Sequence, residues 1–348
     1  MCGGGGELVC VTGANGYLAA HIVRDLLARG HRVRGTVRSQ RSEERLAPLR
    51  AFAGAEERLE LVEADMTAPE SFPEMLRGVG TLVHTACPNG KPPVSTFEEA
   101  QETQLAPAVD GTRSLLEAAE HAGVRKVVLT ASIGSMQVSP TFPEVLDESC
   151  WTDEDFCREK LLTSASACYA LSKTMQEREA WRIAGRSSFR LVVINPGLIV
   201  GPSLMLHLNY SLGILLNLAS GQGTGLNVCR PGTLPDAYKG WVDVREVSEA
   251  HVLAVESEEA EGRYLLQSSV THYEDIYAMM RKHPAMAHHP ERPLDVEGGT
   301  RRSAAYAMDN SKMRALGVRP VPIEKSMLDT VETLAANGLV ELPAYLGA

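Results

Sequence analysis

A chain of 348 residues with a net charge of -10 repels nucleic-acid phosphates, and no basic stripe interleaved with aromatics offsets that charge. At 44% hydrophobic and 22% charged residues it reads as a soluble globular protein, long enough to bury a substantial core in one large domain or two intimate ones. No run of about 18 apolar residues suggests a membrane span, and the start from Met1 to Glu7 shows neither a secretory signal nor a myristoylation site, so the expected compartment is the cytoplasm.

The ordered pattern begins with Leu8-Val9-Cys10-Val11, a short apolar run ending in Thr12-Gly13-Ala14-Asn15-Gly16. An apolar-periodic segment follows through Ile22, Val23, Leu26 and Leu27. The spacing predicts a first parallel strand, a tight loop and a helix whose N-terminus opens on the loop. The N–H groups and positive dipole end of such a helix suit a pyrophosphate. Gly13 permits the turn and Gly16 the close approach of backbone to ligand. Gly13, Asn15, Gly16, Tyr17 and Leu18 are therefore candidate cofactor residues, and Ala19 stands where helix and strand pack closely.

Arg32 to Arg38 alternates like a second strand and ends in a basic residue. An acidic side chain at that place would bond a free ribose 2′-hydroxyl and repel a 2′-phosphate. Here Arg38 is followed by Ser39, Arg41 and Arg45, with acids delayed to Glu43 and Glu44. Guanidinium groups clamp phosphate oxygens through paired donors, so the preferred cofactor is NADP(H). Leu59 to Thr67 reads as a third strand, whose Asp65 and Met66 suit the adenine side; Asp65 equally suits a helix cap before Pro69. Gly80 to Pro88 is a fourth strand running into a loop, with Thr85, Ala86 and Pro88 lining the cofactor crevice. His84, between apolar neighbours, reads as a core histidine.

A helical period runs from Gln104 to His121, and Lys126 to Ser132 is a fifth strand with Ser132 at its carboxyl end. Cys168 to Glu177 reads as a helix that puts Tyr169 and Lys173 on one face. Arg190 to Ile194 is a strand leading into the loop Asn195 to Pro202, where Pro196, Gly197 and Leu198 are further cofactor candidates. Beyond Pro202 the alternation lapses into an apolar helical segment, Leu204 to Ala219, and a glycine-proline loop, Gly221 to Pro235. Trp241 to Leu253 reads as a helix of the first domain, Arg263 to Leu266 as a short strand, and helices follow near His272–Lys282 and Pro322–Asn337. The expected architecture is α/β: a Rossmann-type doubly wound parallel sheet with a smaller, interleaved C-terminal substrate lobe. The dinucleotide-binding part is expected over residues 1–202 with 241–262, and the substrate lobe over 203–240 and 263–348.

Seven cysteines, an odd set without a Cys-x-x-Cys pair, read as reduced and mostly buried thiols. His283, His288 and His289 lie among prolines with neither a nearby cysteine nor a helical i, i+4 pair, so they read as solvated loop histidines and no metal is assigned. Ser132, Tyr169 and Lys173 form the catalytic constellation. Reducing a carbonyl with a nicotinamide needs a proton from the protein. A phenol is sluggish at neutrality, and an ammonium one turn away favours phenolate. Lys173 would also bond the nicotinamide ribose, Ser132 would stabilise negative charge on the carbonyl oxygen, and Tyr169 would deliver the proton.

These motifs in register resemble an extended short-chain dehydrogenase/reductase of the dihydroflavonol reductase-like branch, which includes dihydroflavonol, cinnamoyl-CoA and methylglyoxal-aldehyde reductases. The resemblance rests on Val11 to Ala19, Arg38, Ala64 to Thr67, Pro107 to Thr112, Thr130 to Ser132, Tyr169 to Lys173, Asn195 to Pro202, Asp309 to Lys312 and Leu316-Gly317. It spans almost the whole chain and implies an NADPH-dependent reductase of aldehydes or ketones with an apolar or aromatic body. Two departures stand out. Ala19 replaces the third glycine of the commoner loop, and Ser166 to Lys173 lacks the Asn-Trp-Tyr-Cys-Tyr-Gly-Lys signature of cinnamoyl-CoA reductases, which disfavours that substrate. The partner is a small carbonyl compound, with the chain a monomer or homodimer. The rival readings are a steroid or sugar-nucleotide dehydrogenase or epimerase, opposed by Arg38, and a non-catalytic NADP(H) sensor, which would need no proton donor.

Overall fold

Apolar runs that do not alternate mark strands buried on both faces, and the central strands of the main sheet are built from them. The computed structural model describes residues 7–87, 94–205, 210–220, 233–287, 295–296 and 303–339. Among these, seven strands form one parallel sheet: β1 Leu8–Val11, β2 Arg32–Val37, β3 Leu59–Glu63, β4 Thr81–His84, β5 Lys126–Thr130, β6 Arg190–Pro196 and β7 Gly262–Leu266. Their spatial order is β7-β6-β5-β4-β1-β2-β3, with Val9 beside Val33 on one side and Thr81 on the other. The order reverses between β1 and β4, so the loops following those two strands flank the switch point where ligands of such sheets sit.

Both faces of the sheet are covered. Helix α1, Tyr17–Ala28, runs beside helix Val244–Glu256, where the Ser248 hydroxyl donates to Asp25 at 2.6 Å. Helices α2, Ala106–His121, and α3, Ala165–Ala184, bring Leu115, Leu116, Ala180 and Ile183 onto Cys10, Leu82, Val127 and Val193. The alternate strand residues Val9, Val11, Val83, Val128 and Val192 are equally buried.

The chain divides into two compact units: Met1–Pro196, Ser248–Leu266 and Asp309–Val318, and Gly197–Val247, Gln267–Met308 and Arg319–Ala348. The interleaving is finer than the composition shifts suggest. Residues 197–202 and 241–247, expected with the dinucleotide-binding part, fall in the second unit because Leu198–Val200 is a strand there and not a loop. It pairs in parallel with strand Tyr238–Asp243, which in turn pairs antiparallel with Ser269–His272. The predicted helix from Trp241 therefore starts only at Val244. Trp241 instead anchors the second unit's core with Leu215, Leu218, Ile276, Met327 and Val331.

Residues 263–266, expected with the substrate lobe, complete the edge of the main sheet, Tyr264 lying beside Ile194. Residues 309–318 return to the first unit, where the Lys312 ammonium lies 4.4 Å from the Tyr264 ring centroid. The helix predicted from Leu204 spans Tyr210–Ser220; residues 206–209 of that segment and most of the glycine-proline loop lie outside the described residues.

Candidate active site

The turn after β1 is held by its neighbours on both sides. Gly13 sits at φ +67° and its N–H donates to Thr36 Oγ1 at 3.0 Å. The Ala14 N–H reaches the Thr36 carbonyl at 2.8 Å, and Gly16 N–H the Gly13 carbonyl at 2.8 Å. A Cβ on Gly35 of β2 would lie 2.7 Å from Ala14 Cβ, so that glycine, which the sequence reading passed over, lets the turn settle against β2. A Cβ on Gly16 would meet the Gly13 carbonyl at 3.1 Å. Gly16 caps α1 without a side-chain acceptor, and the first turn of α1 carries no acid. Half-buried Gly13, Asn15 and Gly16, above a helix start with buried Tyr17 and Leu18, thus form a backbone cradle open to an anion. These residues fit a dinucleotide pyrophosphate.

The flanking candidates occupy the same edge of the first unit. Arg38 follows β2 with an exposed side chain that has no hydrogen bond or ion pair among the described residues. Asp65 Oδ1 accepts from the Thr67 amide at 2.8 Å and its hydroxyl at 2.7 Å. Those bonds, then the nearby Arg38 charge, hold the carboxyl below the usual range. Asp65 thus closes a local turn as a cap does, and the Met66 side chain packs into the core under α2. After β4, the Thr85 and Ala86 amides both donate to Thr12 Oγ1, at 3.0 and 2.9 Å. Pro88 lies outside the described residues. Pro196 ends β6 in the first unit, whereas Gly197 and Leu198 belong to the second. There a Cβ on Gly197 would come within 2.5 Å of the Gly240 carbonyl oxygen.

Thr12 Oγ1 uses its acceptor capacity on those two amides, so its hydroxyl donates to His84 Nδ1 at 3.1 Å. The proton of His84 is then on Nε2, which donates to Thr112 Oγ1 at 3.4 Å. Burial, followed by the charge of Lys173, pushes the His84 pKa down to about 3. His84 is accordingly a neutral core histidine. Because its unfolded value is higher, it favours folding fully only above about pH 6.5, and that contribution is lost as pH falls towards 3. Its ring NMR signals are expected to stay flat between about pH 5 and 8; a titration in that window would overturn the assignment.

Ser132 lies two residues past β5 in extended backbone, φ -164° and ψ 153°, and opens a short 3-10 turn, Ile133–Ser135. Its Oγ accepts the Gly134 amide at 3.0 Å, leaving the hydroxyl proton for another acceptor. Its carbonyl accepts from the Ser135 backbone amide at 3.0 Å and the Asn195 side-chain amide at 3.3 Å. Helix α3 begins at Ser164, whose Oγ caps the Ala167 amide at 3.2 Å. A Cβ on Gly134 would stand 3.3 Å from both Ser132 Oγ and Tyr169 Cε1. Gly134 is therefore the gap across which serine and tyrosine face each other. Tyr169 is 41% exposed, Ser132 only 7% and Lys173 3%. The Lys173 ammonium donates to the Thr130 carbonyl at 3.1 Å and to Gln176 Oε1 at 2.5 Å.

One turn along α3, fully buried Glu177 receives the Arg263 guanidinium at 2.6 Å, the Ser135 hydroxyl at 2.5 Å and the Asn195 amide at 2.9 Å. Arg263 also stacks 3.9 Å over the Trp151 ring and donates to the Glu148 and Cys150 carbonyls at 2.9 and 2.5 Å. This cluster fixes the Ser132 turn from behind. Sequence reasoning missed it, along with Thr112 and Gln176. The only visible signal was the position of Gln176 and Glu177 one turn after Lys173.

Among the described residues no group of ligating side chains is placed to hold a metal, and no helix is long and apolar enough to cross a membrane. His283 donates to Glu332 at 2.8 Å; His288 and His289 lie outside the described residues. Cys10, Cys157 and Cys168 are buried and Cys87 and Cys150 half-buried, with no disulfide among these described residues, while Cys2 and Cys229 lie outside the described residues.

Residues 9–266 match the NAD dependent epimerase/dehydratase family. Over 343 residues the chain is 36% identical to cinnamoyl-CoA reductase 1 of Petunia hybrida, covering 97% of this chain and 95% of that one. Vestitone reductase from alfalfa (Medicago sativa) superimposes with a TM-score of 0.74 at 25% identity, over 95% of this chain and 99% of that one. The Gre2 protein of Candida albicans, in complex with NADPH, does so with a TM-score of 0.78 at 25% identity, over 95% and 99%. A family match through the whole main sheet, joined to end-to-end similarity with reductases, shows that this chain is an oxidoreductase belonging to the NAD dependent epimerase/dehydratase family.

Proposed function

We propose that Ser132, Tyr169 and Lys173 are the catalytic residues of an NADPH-dependent reductase of aldehydes or ketones with an apolar or aromatic body. The observation that carries this is the facing of Ser132 Oγ and the Tyr169 ring edge across Gly134, with the Lys173 ammonium held at the end of β5 one helical turn away. The cradle at Gly13 to Leu18 would hold the pyrophosphate, the segments at Asp65–Met66 and Thr85–Ala86 would flank the nucleotide, and Pro196 would join them from the end of β6. Bound NADPH supplies the hydride. The Ser132 hydroxyl, its oxygen already engaged by Gly134 N–H, donates to the substrate carbonyl oxygen and orients it. Tyr169 donates a second hydrogen bond there and gives up its proton as the alcohol forms. Lys173 keeps one N–H unpartnered among the described residues, available to a ribose hydroxyl.

The likeness to a cinnamoyl-CoA reductase does not bring that substrate with it, because Ser166 to Lys173 lacks the signature of those enzymes. The first unit serves the dinucleotide and the second shapes the substrate lobe. The protein works in the cytoplasm as a monomer or homodimer. Loss of NADPH absorbance across aldehydes, diketones, flavanonols and a cinnamoyl thioester tests the reading, with fastest turnover expected on an apolar or aromatic aldehyde or ketone; a panel with no turnover rejects it. In the same assay Arg38→Glu is expected to weaken NADPH about a hundredfold, through lost charge-assisted bonds and added repulsion, and NADH less than about threefold. Equal weakening of the two would remove Arg38 as the 2′-phosphate clamp.

A further inference from the structure

Lys173 is held by a side chain whose own orientation is dictated from the far end of a buried polar chain. Thr112 Oγ1 on α2 accepts from His84 Nε2 at 3.4 Å and from Gln176 Nε2 at 2.8 Å. That leaves Gln176 Oε1 turned towards Lys173 Nζ at 2.5 Å, with the Cys87 thiol 3.8 Å from the same oxygen. Reversing the amide would set its N–H groups against an ammonium, so only one orientation is compatible with a charged Lys173. Gln176 is 1% exposed and Thr112 2%, so both side chains lie in the interior, where a polar group is costly to leave unpaired. The other Lys173 anchor, the Thr130 carbonyl, fixes position along β5 and cannot change with the side chain.

We propose that Gln176 is a positioning residue for Lys173: its amide oxygen, aimed by Thr112, holds the lysine ammonium in place one turn from Tyr169. This rests on the reading of Tyr169 and Lys173 as the catalytic pair. Among the described residues, His84 on β4 lies close enough to feel the Lys173 charge, Cys87 approaches the same Gln176 oxygen, His251 bonds the Thr130 hydroxyl, and Tyr169 and Glu177 lie one turn to either side on α3. Glu177 is engaged by Arg263, and neutral His84 carries no charge to offset the ammonium. Among the described residues Gln176 is thus the side chain that hydrogen-bonds the ammonium, and altering it changes what the ammonium is held by.

The test is the pH profile of kcat for the full-length enzyme with saturating NADPH and the fastest substrate of the carbonyl panel. Gln176→Met removes the acceptor and is expected to move the alkaline limb down by about one pH unit, a tenfold change in proton affinity, with the substrate KM within about twofold. Gln176→Glu keeps the shape, adds an opposite charge and is expected to move the limb up by a similar amount. Opposite shifts from two substitutions at one buried position are not produced by a merely structural role. If the Met variant does not fold, the isosteric Glu variant still decides the sign. Wild-type limbs in the folded variants overturn the proposal. Lys173→Ala separates the two ideas: inactivity there with unshifted Gln176 profiles sinks this inference alone, whereas full activity there sinks the catalytic pair and this inference with it.

Discussion

Tyr169→Phe is expected to lower kcat about a thousandfold, a barrier increase of about 4 kcal/mol, while leaving the NADPH dissociation constant within about twofold. The substitution removes one oxygen and nothing else. The ring edge that faces Ser132 across Gly134 remains, as does the packing of α3 on its neighbours, where Cys168, Ala170 and Leu171 are buried. The Lys173 anchors, the Thr130 carbonyl and Gln176, lie on the other side of the turn and are untouched. Only the proton donated as the alcohol forms is lost. Water at the exposed edge of the residue, 41% open, is the replacement donor, and it lacks the fixed geometry of the phenol. Stopped-flow oxidation of NADPH gives the rate, and quenching of protein fluorescence by NADPH gives the affinity. Wild-type turnover in this variant would reject the catalytic reading.

Arg263→Met is expected to destabilise the protein by about 3–5 kcal/mol, the usual consequence of leaving a buried charge without its partner. The Glu177 carboxylate is fully buried and Arg263 nearly so; they meet at 2.6 Å. With the guanidinium gone, the carboxylate retains the Ser135 hydroxyl, the Asn195 amide and a long 3.4 Å bond from the Trp181 indole, all neutral donors. The carbonyls of Glu148 and Cys150 lose their donor as well. Adding Glu177→Gln to the Arg263→Met variant removes the uncompensated charge and is expected to recover more than half of the loss. Urea unfolding followed by circular dichroism measures both. An unchanged midpoint for Arg263→Met would show that the pair contributes nothing.

What the sequence discloses and what it conceals follow from the range of the interactions. Leu8 to Val11 and Val127 to Leu129 are unbroken apolar runs, so their burial on both faces is written locally, and the glycine turn between β1 and α1 announces itself by residue type. Ser132, Tyr169 and Lys173 are visible because a strand end and one helical turn place them. Leu198–Val200 is hidden among Pro196, Gly197, Gly201 and Pro202, and becomes a strand only through Trp241–Asp243, more than forty residues away. Trp241-Val242-Asp243 suits either helix or strand by periodicity, and pairing decides it. Gly35 is silent until Ala14 is brought against it. The Thr12–His84–Thr112–Gln176–Lys173 chain joins four separate segments by hydrogen bonds, and only its last link, within α3, is written in the local spacing.

The last strand of the main sheet has a consequence for how the protein is made. β7 arrives about seventy residues after β6, and the helix Ser311–Leu316 that packs its Lys312 on β7 arrives later still. A chain emerging from the ribosome therefore carries β6 with one unsatisfied row of amides and carbonyls until Leu266 is out, and the first unit is whole only once Val318 follows. By then Gly197–Val247 and Gln267–Met308 of the second unit have also been synthesised, and Arg319–Ala348 is still to come. The two units mature together during translation, and nascent chains halted between residues 196 and 262 present a sticky edge that calls for chaperone cover.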